Sequence, residues 1–211
     1  MLTAKGLLGA TSGLDIWVQA EDEWCLFDPD VLGWMLKRRL SLSLLVELNQ
    51  TRLAVKPIAA RLAALQRNGA KKAAVASAIA RMAAADCESD DPLASDIAFH
   101  VAIMRATDNR FYAQLCDLIE TALRSSIRTT NQAKGDRLAS VADHRKVSDA
   151  IMEGDASRAE SAMRYLIQES LDLIRTAAAG AISFAQPPNA VSVRMAIAQD
   201  RALELLPGPA P

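Results

Sequence analysis

Cysteine is scarce in this chain, and what little there is lies scattered: Cys25, Cys87 and Cys116 show no CxxC spacing. That argues against a disulfide framework or a zinc knuckle, and for buried thiols in a reducing compartment. Gly-x-Gly-x-x-Gly, P-loop, Gly-x-Ser-x-Gly and His-Glu-x-x-His patterns are all missing, which removes the common nucleotide-binding, serine-hydrolase and metalloprotease frames. Charge of one sign is lacking too, since 24 basic residues oppose 25 acidic ones. A net charge of −1 gives no general attraction to nucleic acid or to an anionic membrane. No basic segment leads into an apolar run at the N-terminus, and no apolar run is long enough to cross a bilayer. A soluble cytoplasmic protein is the expectation.

Aromatic residues make up 4% of the chain and β-branched runs are rare, while alanine and leucine dominate. This mixture favours helix strongly. Asp28-Pro29 opens a short helix ending near Lys37. A long helix is predicted from Ser41 to Gln66, with Leu45, Leu48, Val55, Ala59 and Leu62 as its buried seam. Pro57 lies inside it, removes the hydrogen bond to the Leu53 carbonyl and predicts a kink. Further helices are expected over Lys71–Ala85, after the Asp91-Pro92 cap, from Phe111 to about Thr129, from Gly135-Asp136 to Gly154-Asp155, and from there to about Ala177. Short breaks between them predict an antiparallel bundle. Upstream, Asp15–Gln19 reads as a strand among Gly6, Gly9 and Gly13. Downstream, five prolines fall in residues 180–211, a loose tail with one short helix at Val191–Leu206. Trp24 and Trp34 are expected to pin the first helix to the bundle, and Lys37-Arg38-Arg39 to be a solvated helix end.

Polar side chains on apolar faces carry the chemistry. Asp96 and His100 are four residues apart, so a helix places them on one face. That face is otherwise apolar, where a carboxylate and an imidazole are costly unless something binds them. His144 shares its face with Val147 and Ile151 in the same manner. A core histidine is one reading of each. The other is a pocket, in which one Asp and two His supply ligands for a divalent ion with positions open for water or a small molecule. Arg52 lies on the seam of the long helix, where its permanent charge needs an anionic partner. That partner is either an internal acid such as Glu47 or Asp96, or the carboxylate of a ligand gripped by the planar fork.

Taken in chain order, several stretches resemble the FadR-type branch of the GntR transcription regulators, specifically their all-helical C-terminal sensor, the FCD domain. The stretches are Trp24–Trp34, Glu47–Ala63, Asp96-Ile-Ala-Phe-His100, Ala106–Asn109, Asp143-His-Arg145 and Gly154-Asp155, which span about residues 24 to 176. The resemblance implies an all-α bundle of about six to seven helices that forms a homodimer and binds a small carboxylate, often a sugar acid. It also implies a divalent metal, zinc or similar, held by one Asp and three His. Asp96, His100 and His144 match three of those ligands, and the fourth falls on Leu166, which cannot ligate. That gap tilts the expectation toward direct effector binding by Arg52, Asp96, His100 and His144. Arg52 matches a family arginine facing the pocket, and Lys56 stands where a glutamate is usual.

The implied organisation is a remnant of a winged helix-turn-helix over residues 1–23, ending in its wing, an effector domain over 24–179 and a tail over 180–211. Residues 1–24 set Lys5 against Asp15, Glu21, Asp22 and Glu23. Phosphate contacts need Lys or Arg, so the chain is not expected to bind operator DNA without the remainder of that module. No enzyme activity is expected. Two alternatives differ in class. A stand-alone sensor or dimerisation module would act through partner proteins, and a 2-His-1-carboxylate iron enzyme would use Asp96, His100 and His144.

Overall fold

Capping side chains set where most helices of this chain begin. The computed structural model describes residues 2–11, 16–38, 42–134 and 140–184. Residues 1–177 form one compact unit and 178–211 a second, of which the end of the last helix is described. A short antiparallel ribbon comes first: β1 (Leu8–Ala10) pairs with β2 (Ile16–Val18) in the register Gly9 to Trp17. Eight helices follow among the described residues: α1 (Pro29–Arg38), α2 (Leu42–Leu65), α3 (Gly69–Asp86), α4 (Pro92–Ala106), α5 (Arg110–Gln114), α6 (Cys116–Lys134), α7 (Val141–Glu153) and α8 (Ala156–Phe184).

Asp91 accepts from the Leu93 and Ala94 amides ahead of α4, with Pro92 in the first turn. Asn68 does the same for α3, Asn109 for α5 and Ser140 for α7. Each such cap contributes about 1 kcal/mol. Gly154 closes α7 at a φ of 78°, the left-handed conformation that an L side chain resists. Its amide and that of Asp155 reach back to carbonyls of the last turn, and the Asp155 carboxylate then accepts from the Arg158 amide of α8.

The α4 helix is the hub, packed against α2, α3 and α6, while α2 and α3 both pack on α7. The main core gathers Ala59 and Ala63 of α2, Phe99 and Ile103 of α4, Leu123 of α6, Ile151 of α7, and Met163 and Ile167 of α8. Alanines that are at most 2% exposed line α2 at 59, 60, 63 and 64, so neighbouring helices approach its backbone closely. A second cluster joins Leu32 and Leu36 of α1 to Leu45, Leu118 and Ile174. No helix among the described residues is long and apolar enough to cross a membrane.

The structure amends the sequence reading in several places. The helix expected over Phe111–Thr129 divides at Leu115, whose amide bonds to both the Phe111 and Tyr112 carbonyls at 3.2 Å. That tightened turn ends α5 and adds a helix to the count expected. The helix predicted from Gly135 begins at Val141, and residues 135–139 lie outside the described residues, as do 12–15 and the helix expected at Val191–Leu206. The last helix runs past Ala177 to Phe184. Pro57 sits within α2, which continues through it. Cys25 and Cys87 are exposed, and of the three thiols Cys116 is buried. Trp24 donates its indole N–H to the Gln19 carbonyl, tying the segment after β2 rather than the bundle. Trp34 is 46% exposed and lies 5.7 Å under the Lys5 ammonium, a cation–π contact rather than a core anchor.

Candidate functional site

The buried stripe of α2 is turned from the seam that apolar spacing suggests. Leu45, Asn49, Arg52, Lys56, Ala59, Ala60 and Ala63 face inward, whereas Leu48, Val55 and Leu62 are half-buried. The 3-4 periodicity is intact, but its middle third is polar. Asn49, Arg52 and Lys56 therefore enter the interior one above another, at 0%, 3% and 1% exposure.

They meet Asp96 and His100 from α4 and His144 from α7, all at most 5% exposed. The Asp96 Oδ1 atom lies 3.3 Å from His100 Nε2 and 3.5 Å from His144 Nε2. Phe99 sets both rings edge-on, its centroid 5.5 Å from His100 and 5.2 Å from His144. The imidazoles themselves are 5.3 Å apart. A crevice of about 10 Å³ lined by Met82, Ser95, Asp96 and Val141 touches the carboxylate side.

Hydrogen bonding fixes part of this arrangement and leaves the rest open. His144 Nδ1 lies 3.0 Å from the Ser140 carbonyl. A carbonyl only accepts, so Nδ1 carries a proton, and the other ring nitrogen, Nε2, faces Asp96. On α2, the Arg52 Nη1 donates to Asn49 Oδ1 at 2.6 Å. Asn49 in turn donates to the Leu45 carbonyl at 2.7 Å and to Ser126 Oγ of α6 at 3.2 Å. Among the described residues five buried atoms have no hydrogen-bond partner: Arg52 Nε, Lys56 Nζ, Asp96 Oδ1, His100 Nδ1 and His144 Nε2. Native interiors rarely leave so many polar atoms orphaned at one spot.

Burial dominates the electrostatics of the cluster. Burial draws Arg52 down to about 10, against the pull of Asp96. Burial pushes Lys56 well below its ordinary value, with Arg52 adding to the push and Asp96 opposing it. Burial also holds His100 well below the usual imidazole value, reinforced by Lys56, His144 and Arg52.

All four residues singled out from the sequence, Arg52, Asp96, His100 and His144, are brought into this one cluster. Glu47 is exposed and the described hydrogen bond of Arg52 goes to Asn49, so the internal acid that remains for it is Asp96. Asn49 and Ser126 were not legible as site residues. Asn49 shares the spacing of Arg52 and Lys56 and was within reach of that argument; Ser126 joins only through the packing of α6 on α2. Asp96, His100 and His144 offer ligand atoms that all lie within 4.8 Å of one another, a set that could hold a divalent metal.

The family profile of the FCD domain matches residues 47–169, which include every residue of this cluster. The chain belongs to the FCD-domain family. With that comes membership among the GntR-type regulators, which bind DNA and small-molecule effectors and typically dimerise. A galactonate operon transcriptional repressor of Escherichia coli (strain K12) is 27% identical over 170 residues, 80% of this chain and 74% of the repressor. Streptococcus agalactiae GntR shares the fold at a TM-score of 0.54 and 18% identity, over 81% of this chain and 77% of that one. These relatives are regulators rather than enzymes. In this FCD domain α2, α4 and α7 supply the polar residues of the cluster, and Leu166 of α8 is an apolar side chain of the main core.

Proposed function

We propose that the cluster is the effector site of a cytoplasmic transcription regulator, and that it takes a small organic acid through its carboxylate. The carrying observation is Arg52, a buried guanidinium that has no acid of its own beyond the shared Asp96 and keeps Nε without a partner. A carboxylate accepts the parallel N–H bonds that such a fork offers. His100, His144 and Asp96 then stand ready for the hydroxyls of the acid, since between them they supply both donors and acceptors. The galactonate operon repressor supports a sugar acid as the class.

A second reading places a divalent ion such as zinc on Asp96, His100 and His144, and the His144 tautomer favours it. Metal-ligating histidines commonly donate the other ring N–H to a backbone carbonyl, as His144 does to Ser140. Such an ion would polarise and orient the acid's oxygens as a Lewis acid.

Residues 24–179 are read as the sensor and residues 1–23 as the wing end of a winged-helix module. Lys5, the single basic residue of that segment, is engaged by Asp28 at 2.7 Å and Asp30 at 2.9 Å. Its ammonium is therefore engaged within the fold rather than offered to a phosphate. Regulation follows if the acid binds one arrangement of a homodimer better than another. Thermal unfolding against a panel of organic acids tests this function. A ligand of the folded state raises the melting temperature by mass action. The expected result is a concentration-dependent rise with hydroxylated monocarboxylates; a flat response to every acid would sink the proposal.

A further inference from the structure

The cluster is closed in this structure. Water does not reach Arg52 Nε, Asp96 Oδ1 or His144 Nε2. The crevice beside Asp96 measures about 10 Å³, at most the room of one water. Pockets that enclose a small organic molecule span roughly 300 Å³ or more. An acid therefore meets Arg52 only if a helix moves.

The crevice points to α3. It lies between Met82 and Ala85 in the C-terminal half of α3, Ser95 and Asp96 of α4, and Val141 at the start of α7. The α3 helix packs on α4 and α7, the two helices that carry Asp96, His100 and His144. Its buried face is Val75, Ala78, Met82 and Ala85. Alanine buries little apolar area, so Met82 supplies much of what holds the C-terminal half in place. Among the described residues the side-chain bonds of α3 go elsewhere than to the helical spans of α4 and α7. Lys71 pairs with Asp108, Lys72 donates to the Ala64 carbonyl at 2.9 Å, and Arg81 donates to Asp90 of the following turn at 2.8 Å. Two of these ties pin the N-terminal end. The half that bears Met82 is held to the bundle by packing and by the turn that leads into α4.

We infer that the C-terminal half of α3 is the gate of the site: it lifts from α4 and α7 to admit the acid and stays displaced while the acid is bound. The apparent affinity is then the intrinsic one scaled by the fraction of empty chains that are open. Met82 stabilises the closed form alone, so removing its side chain raises that fraction. The acid in this inference rests on the effector reading above, whereas the opening of α3 is measurable with no acid present.

The test has two arms, both on the full chain. In the first, Met82→Cys and Ala159→Cys, the latter in the main core on α8, react with iodoacetamide in native buffer. Peptide mass spectrometry separates these positions from Cys25, Cys87 and Cys116, and each rate is divided by that of the same chain unfolded in urea. Met82→Cys should react at least tenfold faster than Ala159→Cys, because α3 opens without global unfolding. Equal rates would overturn the inference. Should Met82→Cys not fold, Ala85→Cys probes the same face. In the second arm, wild type and Met82→Ala are titrated calorimetrically with sodium gluconate, a hydroxylated monocarboxylate. Met82→Ala should melt lower than wild type yet bind gluconate at least fivefold tighter, opposite signs that a merely structural methionine would not give. Weaker or equal binding by Met82→Ala would remove α3 as the gate and leave the effector site standing. If gluconate binds neither chain, the effector reading fails for that acid, and the labelling ratio still decides whether α3 opens.

Discussion

Arg52 concentrates the energetics of the site because its charge cannot be titrated away at physiological pH. Truncating one partner of a buried charge-assisted contact costs 2–5 kcal/mol or more. Arg52→Ala should therefore weaken binding of the organic acid that most stabilises the chain on the order of 100-fold in calorimetric titration, while the chain stays folded. An unchanged affinity would remove Arg52 from the site. Asn49 acts through Arg52, holding Nη1 at 2.6 Å while bonded itself to Leu45 and Ser126. Asn49→Leu should lower acid affinity about tenfold, the loss of roughly one hydrogen bond's positioning. Asn49→Asp, which sets a competing carboxylate on Arg52, should lower it further, an ordering that a merely structural residue would not produce. The charged members were legible because a charge on an apolar stripe needs a reason, and Arg52, Asp96, His100 and His144 each raised that question. Lys56 was visible as a departure from its family. Ser126 was not visible, because a serine on a helix is unremarkable until the helix opposite is known.

The helix caps were the most readable features at the scale of elements, since Asp91-Pro92 and Gly154-Asp155 combine backbone and side-chain constraints in a few adjacent residues. Gly154→Ala puts a Cβ on a left-handed residue at φ 78°, at ordinary van der Waals distance from the Ala64 carbonyl (3.7 Å), so the cost is conformational. It should destabilise the chain by about 1 kcal/mol in chemical denaturation, with α7 and His144 otherwise in place. The division of α5 from α6 was not readable, because Phe111–Thr129 keeps helical composition throughout and the tightened turn at Leu115 is a matter of packing. The same limit applied to the exact face of α2: a stripe of leucines and a stripe of alanines lie side by side, and only the neighbouring helices choose the alanines. The N-terminal ribbon is tied to α1 by Lys5 with Asp28 and Asp30. Lys5 holds the Asp28 carboxyl below its ordinary value of 3.8. A lowered carboxyl value means the tie is complete above pH 3.8 and is lost as pH falls through the still lower folded value. Tryptophan fluorescence from Trp24 and Trp34 should report that release, and Asp28→Asn should abolish the acid transition. An identical transition in Asp28→Asn would mean that the tie does not depend on this pair.

The whole molecule combines an ordinary alanine- and leucine-rich bundle with one interior spot that breaks the rules of a bundle. The surrounding core needs no ligand to account for it, whereas the cluster at α2, α4 and α7 leaves five polar atoms unsatisfied. Under the proposed function the acid enters at that spot, where it would bias how the helices pack and so how two chains meet. Fold class was readable from composition and periodicity alone, and the family profile over 47–169 agrees with it. The organisation of the N-terminal segment was less so, since a 3-residue strand such as Ile16–Val18 carries little periodic signal. The most direct test of the central claim is a crystal structure of this chain grown with the organic acid that raises its melting temperature most. The expected result is the acid enclosed by α2, α4 and α7, its carboxylate within hydrogen-bond distance of the Arg52 guanidinium. An acid bound elsewhere, with Arg52 and Lys56 untouched, would contradict the account.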